Sequence, residues 1–395
     1  MSDKKIPIMI PWMGEEEAAA ARRPIMTGWT TQGPEVAEFE KEFAEIVGAK
    51  YACAVSNCTT ALHLALKAVG VKDGDEVITA SHSFIATANA IRYCNATPVF
   101  VDIEPHTFNI DVALIERAIT ERTKAILCVH QIGMPCDIKG IIEIAKRQSL
   151  FVIEDAACAI GSEILWDDIW EKIGKPRGDI ACFSFHPRKL ISIGDGGMIT
   201  TGNAEWDRQF RLWRQHSMDV PDVVRHKANE VIFESYIDLG YNYRLTDIQA
   251  AVGREQLKRL KAIIERRRMM AERYHKLLGD VSGWLLPKEP TWARSNWQSY
   301  CVRLPAQCDQ RTVMQKMLGA GISTRRGVMC IHREPAYTRD VWSCGGEPCK
   351  CDGGTCKRLM QSELAQDHSI LLPLFHQMTE ADQDFVVEKF REACA

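Results

Sequence analysis

The segment DEVITASHSFIATANAIRYCNATPVFVDI, residues 75–103, contains a strand pattern, a helix pattern and a second strand pattern in succession. DEVITAS and TPVFVDI are short runs of apolar and β-branched residues, and IATANAIRYC between them has the spacing of a helix. A strand, a crossover helix and a second strand form a βαβ unit, from which parallel sheets are built. The segment therefore predicts part of a mostly parallel sheet.

The same alternation continues on both sides of this unit. Before it, YACAVS is strand-like and TTALHLALKAVG is helical. After it come the helical VALIERAIT, the strand-like AILCVH, the helical IKGIIEIAKRQ, and the strand-like LFVIEDA, DIACFSF and GMITT. This order predicts the α/β fold class, with a mostly parallel central sheet covered by helices on both faces.

The length of 395 residues indicates two domains. A long helical pattern runs from Thr246 to about Gly279 and leads into the strand-like SYCVRLP and the helical RTVMQKMLGAG and EADQDFVVEKFREAC. These elements predict a smaller C-terminal α+β domain. We place the large domain at residues 1–255, together with the N-terminal segment, and the small domain at residues 256–395.

The composition is that of an ordinary globular protein, with 46% hydrophobic and 26% charged residues. A formal net charge of -3 gives no reason to expect nucleic acid or an anionic membrane surface as a partner. We expect no membrane span and no secretory leader, because no apolar run is long enough and the N-terminal apolar patch is interrupted by prolines. Fifteen cysteines scattered through core-like segments suit a reducing compartment, so we expect a cytoplasmic protein.

Ligands of open α/β sheets bind at the carboxyl ends of the strands, so the residues that follow each strand are the candidates for a site. The residues selected by this rule are Asn57, Cys58, Thr59, Thr60, His82, Ser83, Phe84, Asp155 and Lys189. An amine, a carboxylate, the start of a helix and an aromatic ring together are what pyridoxal phosphate requires. Their joint placement favours a site for this cofactor.

Each of these residues also has an ordinary interpretation. Lys189 could be a solvated surface charge, and Asp155 could cap a helix. Thr59 and Thr60 could serve only as helix caps, and Phe84 could be a core aromatic residue.

Six stretches in one order resemble the sugar aminotransferases of the DegT/StrS family, which are fold-type I pyridoxal-phosphate enzymes. The stretches cover nearly the whole chain: 27–66, ATPVFVDIEPHTFNID at 96–111, VIEDAACAIGS at 152–162, FSFHPRKLISIGDGG at 183–197, GYNYRLTDIQAAVGREQL at 240–257 and LPLFHQMTEAD at 372–382. The resemblance implies a fold-type I aminotransferase fold with pyridoxal 5'-phosphate as cofactor.

The resemblance also implies roles for individual residues. Lys189 would bond covalently to the cofactor and later move the proton, and Asp155 would pair with the pyridinium nitrogen. Phe84 would stack on the ring, and Thr59 and Ser184 would contact the phosphate. Cys58 and Cys158 occupy two further positions at the cofactor. Many members of the family have glycine at the first of these positions and glutamine or histidine at the second. Asn242 matches the asparagine that reaches the phosphate in the neighbouring subunit's site, which implies a homodimer with shared active sites.

The activity implied is a ping-pong transamination from L-glutamate to a keto-sugar, most simply a nucleotide-linked keto-deoxyhexose. Transamination is favoured because the lysine-to-histidine change of the family's dehydratase branch is absent at Lys189. Two alternatives remain open: an aminotransferase for a keto-cyclitol or for a free or phosphorylated keto-sugar, and a non-catalytic regulatory relative.

Three residues are candidates for contacts with substrate. Arg244 and Arg325 could hold a donor carboxylate or nucleotide phosphates, because a guanidinium offers a bidentate fork to either anion. His332 follows the segment that contains Arg325. The alternatives are surface arginines and a structural histidine.

A glycine-rich loop, CGGEPCKCDGGTC at residues 344–356, contains four cysteines outside the pattern of the family. Cys344, Cys349, Cys351 and Cys356 could close a structural zinc site, since four thiolates suit tetrahedral zinc. The spacing is not the familiar Cys-x2-Cys knuckle, so an unliganded loop with free thiols is the favoured interpretation.

Overall fold

A computed structural model describes residues 5–220, 229–279, 283–337, 341–345 and 355–395. The strands are β1 Tyr51–Val55, β2 Glu76–Ala80, β3 Thr97–Val101, β4 Thr123–Val129, β5 Phe151–Asp155, β6 Glu163–Trp166, β7 Ile169–Lys172, β8 Ile180–Ser184, β9 Gly197–Thr201, β10 Ala293–Arg294, β11 Tyr300–Arg303, β12 Arg325–Arg326 and β13 Ser369–Leu372. The helices are α1 Glu15–Thr27, α2 Pro34–Val47, α3 Cys58–Ala68, α4 Ala86–Tyr93, α5 Ile138–Gln148, α6 Ala204–Trp213, α7 Asp247–Leu278, α8 Gln310–Gly319, α9 Met360–His368 and α10 Glu380–Cys394.

The central sheet has seven strands in the order β1-β9-β8-β5-β4-β2-β3. Strand β9 is antiparallel to both of its neighbours, and the other pairings are parallel. The βαβ unit predicted from residues 75–103 is present, because β2 and β3 are adjacent and parallel with α4 between them in the chain. The predicted α/β fold class is confirmed.

Side chains alternate between the two faces of the sheet and enter different cores. Ala54 packs with α2, α5 and the first half of α7, whereas the next residue toward the N-terminus, Cys53, packs with α3, α4 and α6. This two-residue period explains why the inner strands read as continuous apolar runs, since both faces are covered.

One predicted helix is absent. The segment VALIERAIT forms two short 3-10 turns, Val112–Leu114 and Glu116–Ala118. The chain turns to an extended conformation at Ile119, with φ −74° and ψ 133°, because it must enter β4 at Thr123. A segment this short cannot complete a longer helix first.

The long helix α7 packs against two separate cores. Its first half contributes Leu257, Leu260 and Ile263 to the core of the large sheet. Its second half packs with α8, α10 and the antiparallel sheet β11-β13-β12 in a C-terminal core. The division at residues 1–255 and 256–395 stays a prediction, and its boundary falls inside this continuous helix. Among the described residues, no helix is both long enough and apolar enough to cross a membrane.

A buried ion cluster fixes the edge of the central sheet. Glu40 of α2 is 5% exposed and accepts hydrogen bonds from the Ala54 amide at 2.9 Å, from Arg211 at 2.6 Å and from Arg214. The two guanidinium groups also donate to the carbonyls of Ala52 and Ala54, both at 2.7 Å. Burial raises the pKa of Glu40, but the charges of Arg214 and Arg211 outweigh it, so this pKa lies below its ordinary value.

We expect Glu40→Gln to lower the free energy of unfolding by about 3–5 kcal/mol, because Arg214 would keep a buried, uncompensated charge. Since the pKa of Glu40 is depressed in the folded state, the difference from wild type should be full at neutral pH and shrink as the pH falls through that pKa. Denaturant titration at two pH values measures both effects. The control is Glu205→Gln, which removes an exposed ion pair with Arg208 and should change stability by less than about 0.5 kcal/mol. Equal losses for the two variants would contradict the prediction.

Candidate active site

A cavity of about 1360 Å³ opens at the carboxyl ends of the central strands, beside the start of α3. It is larger than the usual 300–1,000 Å³ of a small-molecule pocket, so it has room for more than one ligand group. Of the sequence-predicted residues, those that line it are Asn57, Cys58, Thr59, Thr60, Ser83, Phe84, Asp155, Cys158, Ser184, Lys189 and Arg325.

Lys189 lies five residues after the end of β8, in a tight turn where its amide donates to the carbonyl of His186 at 2.8 Å. Its Nζ lies 3.0 Å from the Sγ of Cys158. Burial lowers the pKa of Lys189, but its contact with Cys158 and the charge of Asp155 outweigh burial, so this pKa lies above the ordinary value. The amine is therefore a cation at neutral pH in the protein alone, and it faces the cavity rather than bulk solvent.

Asp155 is the last residue of β5 and is 5% exposed. Thr87 Oγ1 donates to one carboxylate oxygen at 2.9 Å, and the amide of Ala157 donates to the other at 3.2 Å. Burial raises the pKa of Asp155, and these hydrogen bonds and the nearby Lys189 counter it only partly. No helix begins at this residue, so the helix-cap interpretation is wrong. A buried acid with a raised pKa is suited to hold a cationic partner that enters the cavity.

The start of α3 forms the anion-binding end of the cavity. Asn57 caps the helix by accepting from the Thr60 amide at 2.9 Å, and Thr60 Oγ1 accepts from the Asn57 amide at 3.3 Å. A Cβ on Gly197 would lie only 2.5 Å from the Asn57 carbonyl oxygen, so β9 can pass this close to the helix start only with glycine there. Free N–H groups in the first helical turn, flanked by Thr59 and Ser184, can bind a phosphate.

Phe84 is 60% exposed, although it is a large apolar side chain that lines the cavity. The core interpretation of this residue is therefore wrong. On the same cavity wall, Tyr243 Oη and His63 Nδ1 lie 3.1 Å apart. Burial lowers the pKa of His63 to about 4, so its ring is neutral at physiological pH. The exposed ring of Phe84 lines the same cavity as the buried Asp155 and Lys189, so it can stack on a planar ligand that binds there.

Residues 11–391 match the model of the DegT/DnrJ/EryC1/StrS aminotransferase family. The chain belongs to this family. The GDP-perosamine synthase of Caulobacter vibrioides is 37% identical over 396 residues, covering 98% of each chain. The spore coat polysaccharide biosynthesis protein SpsC of Bacillus subtilis is 34% identical over 393 residues, covering 98% of this chain and 96% of SpsC. The crystal structure of the aminotransferase TlmJ from Streptoalloteichus hindustanus superposes with a TM-score of 0.87 at 30% identity, covering 99% of each chain.

The protein is thus a pyridoxal-phosphate-dependent aminotransferase with the fold of its family, and the interpretation as a non-catalytic regulatory relative is set aside. The cavity fits the cofactor chemically. Lys189 supplies an amine, Asp155 a buried carboxylate, the first turn of α3 an anion site, and Phe84 an exposed aromatic face. These four features lie on one cavity, as the positions of their strand ends predicted.

Four predicted residues do not line the cavity of the single chain, namely His82, which is buried, and Asn242, Arg244 and His332. Asn242 is exposed and forms a backbone bridge with Gln215, and Arg244 is half-buried. His332 is buried, with one ring nitrogen 2.6 Å from Ser81 Oγ and the other 3.0 Å from Glu363. Both ring nitrogens of His332 have hydrogen-bond partners inside the protein. The structure therefore favours the alternative of a structural histidine over the predicted contact with substrate.

The structure also adds residues that the sequence reasoning missed. The cavity is lined by Arg188, Arg326 and Gln298. Arg188 directly precedes Lys189, so its charge could have been noticed from the sequence. Gln298 lies in a loop more than a hundred residues away, and no local pattern marks it.

The cysteine loop is described only in part. Cys344 and Cys356 are buried in a small cluster with Phe100 and Leu359. Cys349 and Cys351 lie outside the described residues. Among the residues that are described, no group of three or more metal-ligating side chains occurs, so the zinc hypothesis stays untested.

We expect Asp155→Asn to stabilise the cofactor-free protein at pH 8. Burial raises the pKa of Asp155, so its stabilising contribution is complete below the unfolded-state pKa and is lost as the pH rises through the folded-state pKa. The uncharged amide avoids that loss, so the gain in thermal stability should be small at about pH 3, below the ordinary pKa of aspartate, and should grow as the pH rises through the folded-state pKa of Asp155. The control is Asp309→Asn, an exposed helix cap whose pKa is lowered by hydrogen bonds to Thr312, and it should show no such gain. A gain for Asp155→Asn that is independent of pH would contradict this explanation.

Proposed function

We propose that this protein transfers an amino group from L-glutamate to a nucleotide-linked keto-deoxyhexose, with Lys189 and Asp155 as the catalytic residues. The observation that carries the proposal is that Lys189 and Asp155 lie in one large cavity with Arg188, Arg325 and Arg326. The similarity to a GDP-perosamine synthase over nearly the full length of both chains supports a nucleotide-linked sugar as acceptor.

The roles of the residues follow from their chemistry. Pyridoxal phosphate, when bound, serves as an electron sink for the carbon that carries the amine. Lys189 would hold the cofactor covalently and, once its Nζ is released, would move a proton to and from the substrate carbon. Asp155 would accept a hydrogen bond from the ring nitrogen and hold a proton there. Thr59, Ser184 and the first turn of α3 would bind the phosphate, and Phe84 would pack on the ring.

Two thiols complete the proposed cofactor site. Cys58 lies in the first turn of α3, and Cys158 contacts Lys189 Nζ. Thiols are weak hydrogen-bonding groups, so Cys58 and Cys158 would affect the shape of the cofactor site and would not form strong polar contacts with the cofactor. In the protein without cofactor, Cys158 Sγ is also the atom that the Nζ of Lys189 contacts.

The cationic side chains define the acceptor end of the cavity. Arg325 and Arg326 form strand β12 and are both exposed, and Arg188 is exposed beside Lys189. Arg326 is paired with Glu334 at 3.2 Å. Guanidinium groups bind phosphate oxygens in bidentate fashion, so a nucleoside diphosphate suits this end, and a donor carboxylate could use the same groups in the other half-reaction.

We also propose a homodimer in which Asn242 and Arg244 reach the partner's cavity. Apolar side chains are widely exposed just before Asn242, namely Val231 at 84%, Phe233 at 88% and Leu239 at 73%. Such a cluster of exposed apolar residues is typical of a protein interface. A second copy would cover this segment and bring Asn242 to a site that lacks it in the single chain. Because the described cysteines other than Cys344 and Cys356 are free thiols, we further propose a cytoplasmic location.

The test of the function is an assay of the purified holoenzyme with L-glutamate and a panel of acceptors. The panel contains nucleotide-linked keto-deoxyhexoses, keto-cyclitols, and free and phosphorylated keto-sugars. We expect amino sugar and 2-oxoglutarate in equal amounts with a nucleotide-linked acceptor, a shift of the visible absorption band on adding glutamate, and no turnover by Lys189→Ala. The control Lys258→Ala, an exposed lysine on α7, should keep wild-type activity. Turnover by Lys189→Ala at the wild-type rate would refute its role, and a preference for keto-cyclitols would refute the substrate class.

Shared active sites can be tested by mixing two impaired variants. In a heterodimer of Lys189→Ala and Asn242→Ala, one site combines an intact lysine with an intact asparagine from the other subunit. Random exchange of subunits should then restore about a quarter of the wild-type sites. The comparison is each variant mixed with itself, which should restore none. Mass spectrometry of the native dimers monitors the exchange of subunits. If the subunits exchange and no activity is recovered, the shared site is refuted.

A further inference from the structure

The peptide bond between Arg188 and Lys189 is held at both of its polar atoms. The amide of Lys189 donates to the carbonyl of His186 at 2.8 Å. The carbonyl of Arg188 accepts from Nε2 of Gln298 at 2.8 Å. Rotation of this peptide plane would turn the backbone of Lys189 and swing its side chain, so the two hydrogen bonds together fix the direction in which Nζ points.

Gln298 belongs to a five-residue turn, residues 295–299, that we name the clamp turn. Its amide donates to Asn296 Oδ1 at 2.9 Å, and its side-chain oxygen accepts from Ser299 Oγ at 3.0 Å. Trp297 in the middle of the turn is buried and has a φ of 51°, a left-handed conformation that a bulky residue adopts only when its surroundings enforce it. The turn is therefore a strained, well-anchored support for Gln298.

Arg267 of α7 supplies much of that anchorage. It is 1% exposed, and its Nη1 donates to the carbonyls of Trp297 and Gln298, both at 3.0 Å. Within the described part of the chain it has no carboxylate partner in an ion pair. Burial lowers the pKa of Arg267 to about 10, which still leaves it charged at neutral pH. The remaining contact of Arg267 is from Nη2 to the thioether sulfur of Met9 at 3.1 Å, a weak acceptor, so the two carbonyls of the turn are the strong acceptors that explain where this costly buried charge lies.

The clamp turn also contacts the loop that contains Cys158. Asn296 donates to the carbonyl of Cys158 at 2.8 Å and to that of Ile160 at 2.9 Å. The loops that follow β5 and β8 are thus tied to each other through one turn, and that turn is tied to the long helix α7. Cys158 and Lys189, whose side chains are in contact, are both supported from the same five residues.

We propose that Gln298 is a positioning residue for Lys189 and that Arg267, through the clamp turn, holds Gln298 in place. The proposal rests on the catalytic role proposed for Lys189. Gln298 acts on the backbone rather than on the reacting atoms, so its removal should slow the chemical steps without weakening the binding of substrates. A displacement of about 1 Å of a reacting group is enough to lower a rate by one to two orders of magnitude.

The test compares the holoenzymes of wild type and Gln298→Met, which keeps the size of the side chain and removes the N–H donor. We expect kcat to fall roughly tenfold while KM for both substrates changes less than about twofold. Hydrogen exchange of the peptide that contains Lys189 should quicken by roughly fivefold, since the Arg188–Lys189 peptide loses one of two restraints. Arg267→Met should produce the same two effects, and Arg267→Lys should partly reverse them by restoring a donor.

The matched control is Gln310→Met. Gln310 also donates through Nε2 to two backbone carbonyls, those of Gln366 and Ser369, but it does not line the cavity. Its loss should lower the melting temperature without changing exchange at Lys189 or kcat. A rise in KM with unchanged exchange would make Gln298 a substrate ligand and overturn the proposal, as would exchange and kcat that both stay at wild-type values. If exchange quickens while Lys189→Ala remains fully active, the positioning stands and the role of Lys189 fails.

Discussion

The structure depends on the placement of a buried carboxylate and an amine in one cavity, at the carboxyl ends of the strands of a mostly parallel sheet. Asp155 ends β5, and Lys189 follows its neighbour β8, so the sheet register brings their side chains into one cavity. Burial raises the pKa of Asp155, which shows that the protein alone does not fully compensate this acid. A site that awaits a cationic partner has this electrostatic character, whereas a site built for stability would supply the partner itself.

The interactions that stabilise the fold lie away from the cavity. The sheet is covered by helices on both faces, and its ion cluster around Glu40 is compensated by two arginines and by backbone groups. Helix α7 then joins the core of the sheet to the C-terminal core without interruption. The strained backbone at Trp297 belongs to the C-terminal core, and its carbonyl accepts a hydrogen bond from Arg267 of this helix.

The sequence predicted the seven strands of the central sheet and the helices α3, α4 and α5, because apolar periodicity is a local property, but it made no prediction for α2 and α6, which also pack on the sheet. It failed at residues 112–119, where the need to enter β4 overrode a helical pattern. Lys189, Asp155, Phe84 and the start of α3 were found from their position after strands, since parallel strands bring their carboxyl ends to one edge. His332 was assigned by proximity along the chain alone, and its bonds to Ser81 and Glu363 come from segments far apart in sequence.

The sequence by itself determined the α/β class, the family, the cofactor and the candidate lysine and aspartate, because each rests on short local patterns and on their order along the chain. The tertiary structure decided which side chains share the cavity, how buried each one is and what holds it. Gln298 contacts the peptide before Lys189 across 110 residues of chain, and Arg267 holds the turn that presents it. Such contacts join residues with no common local pattern, so only the folded chain brings them together.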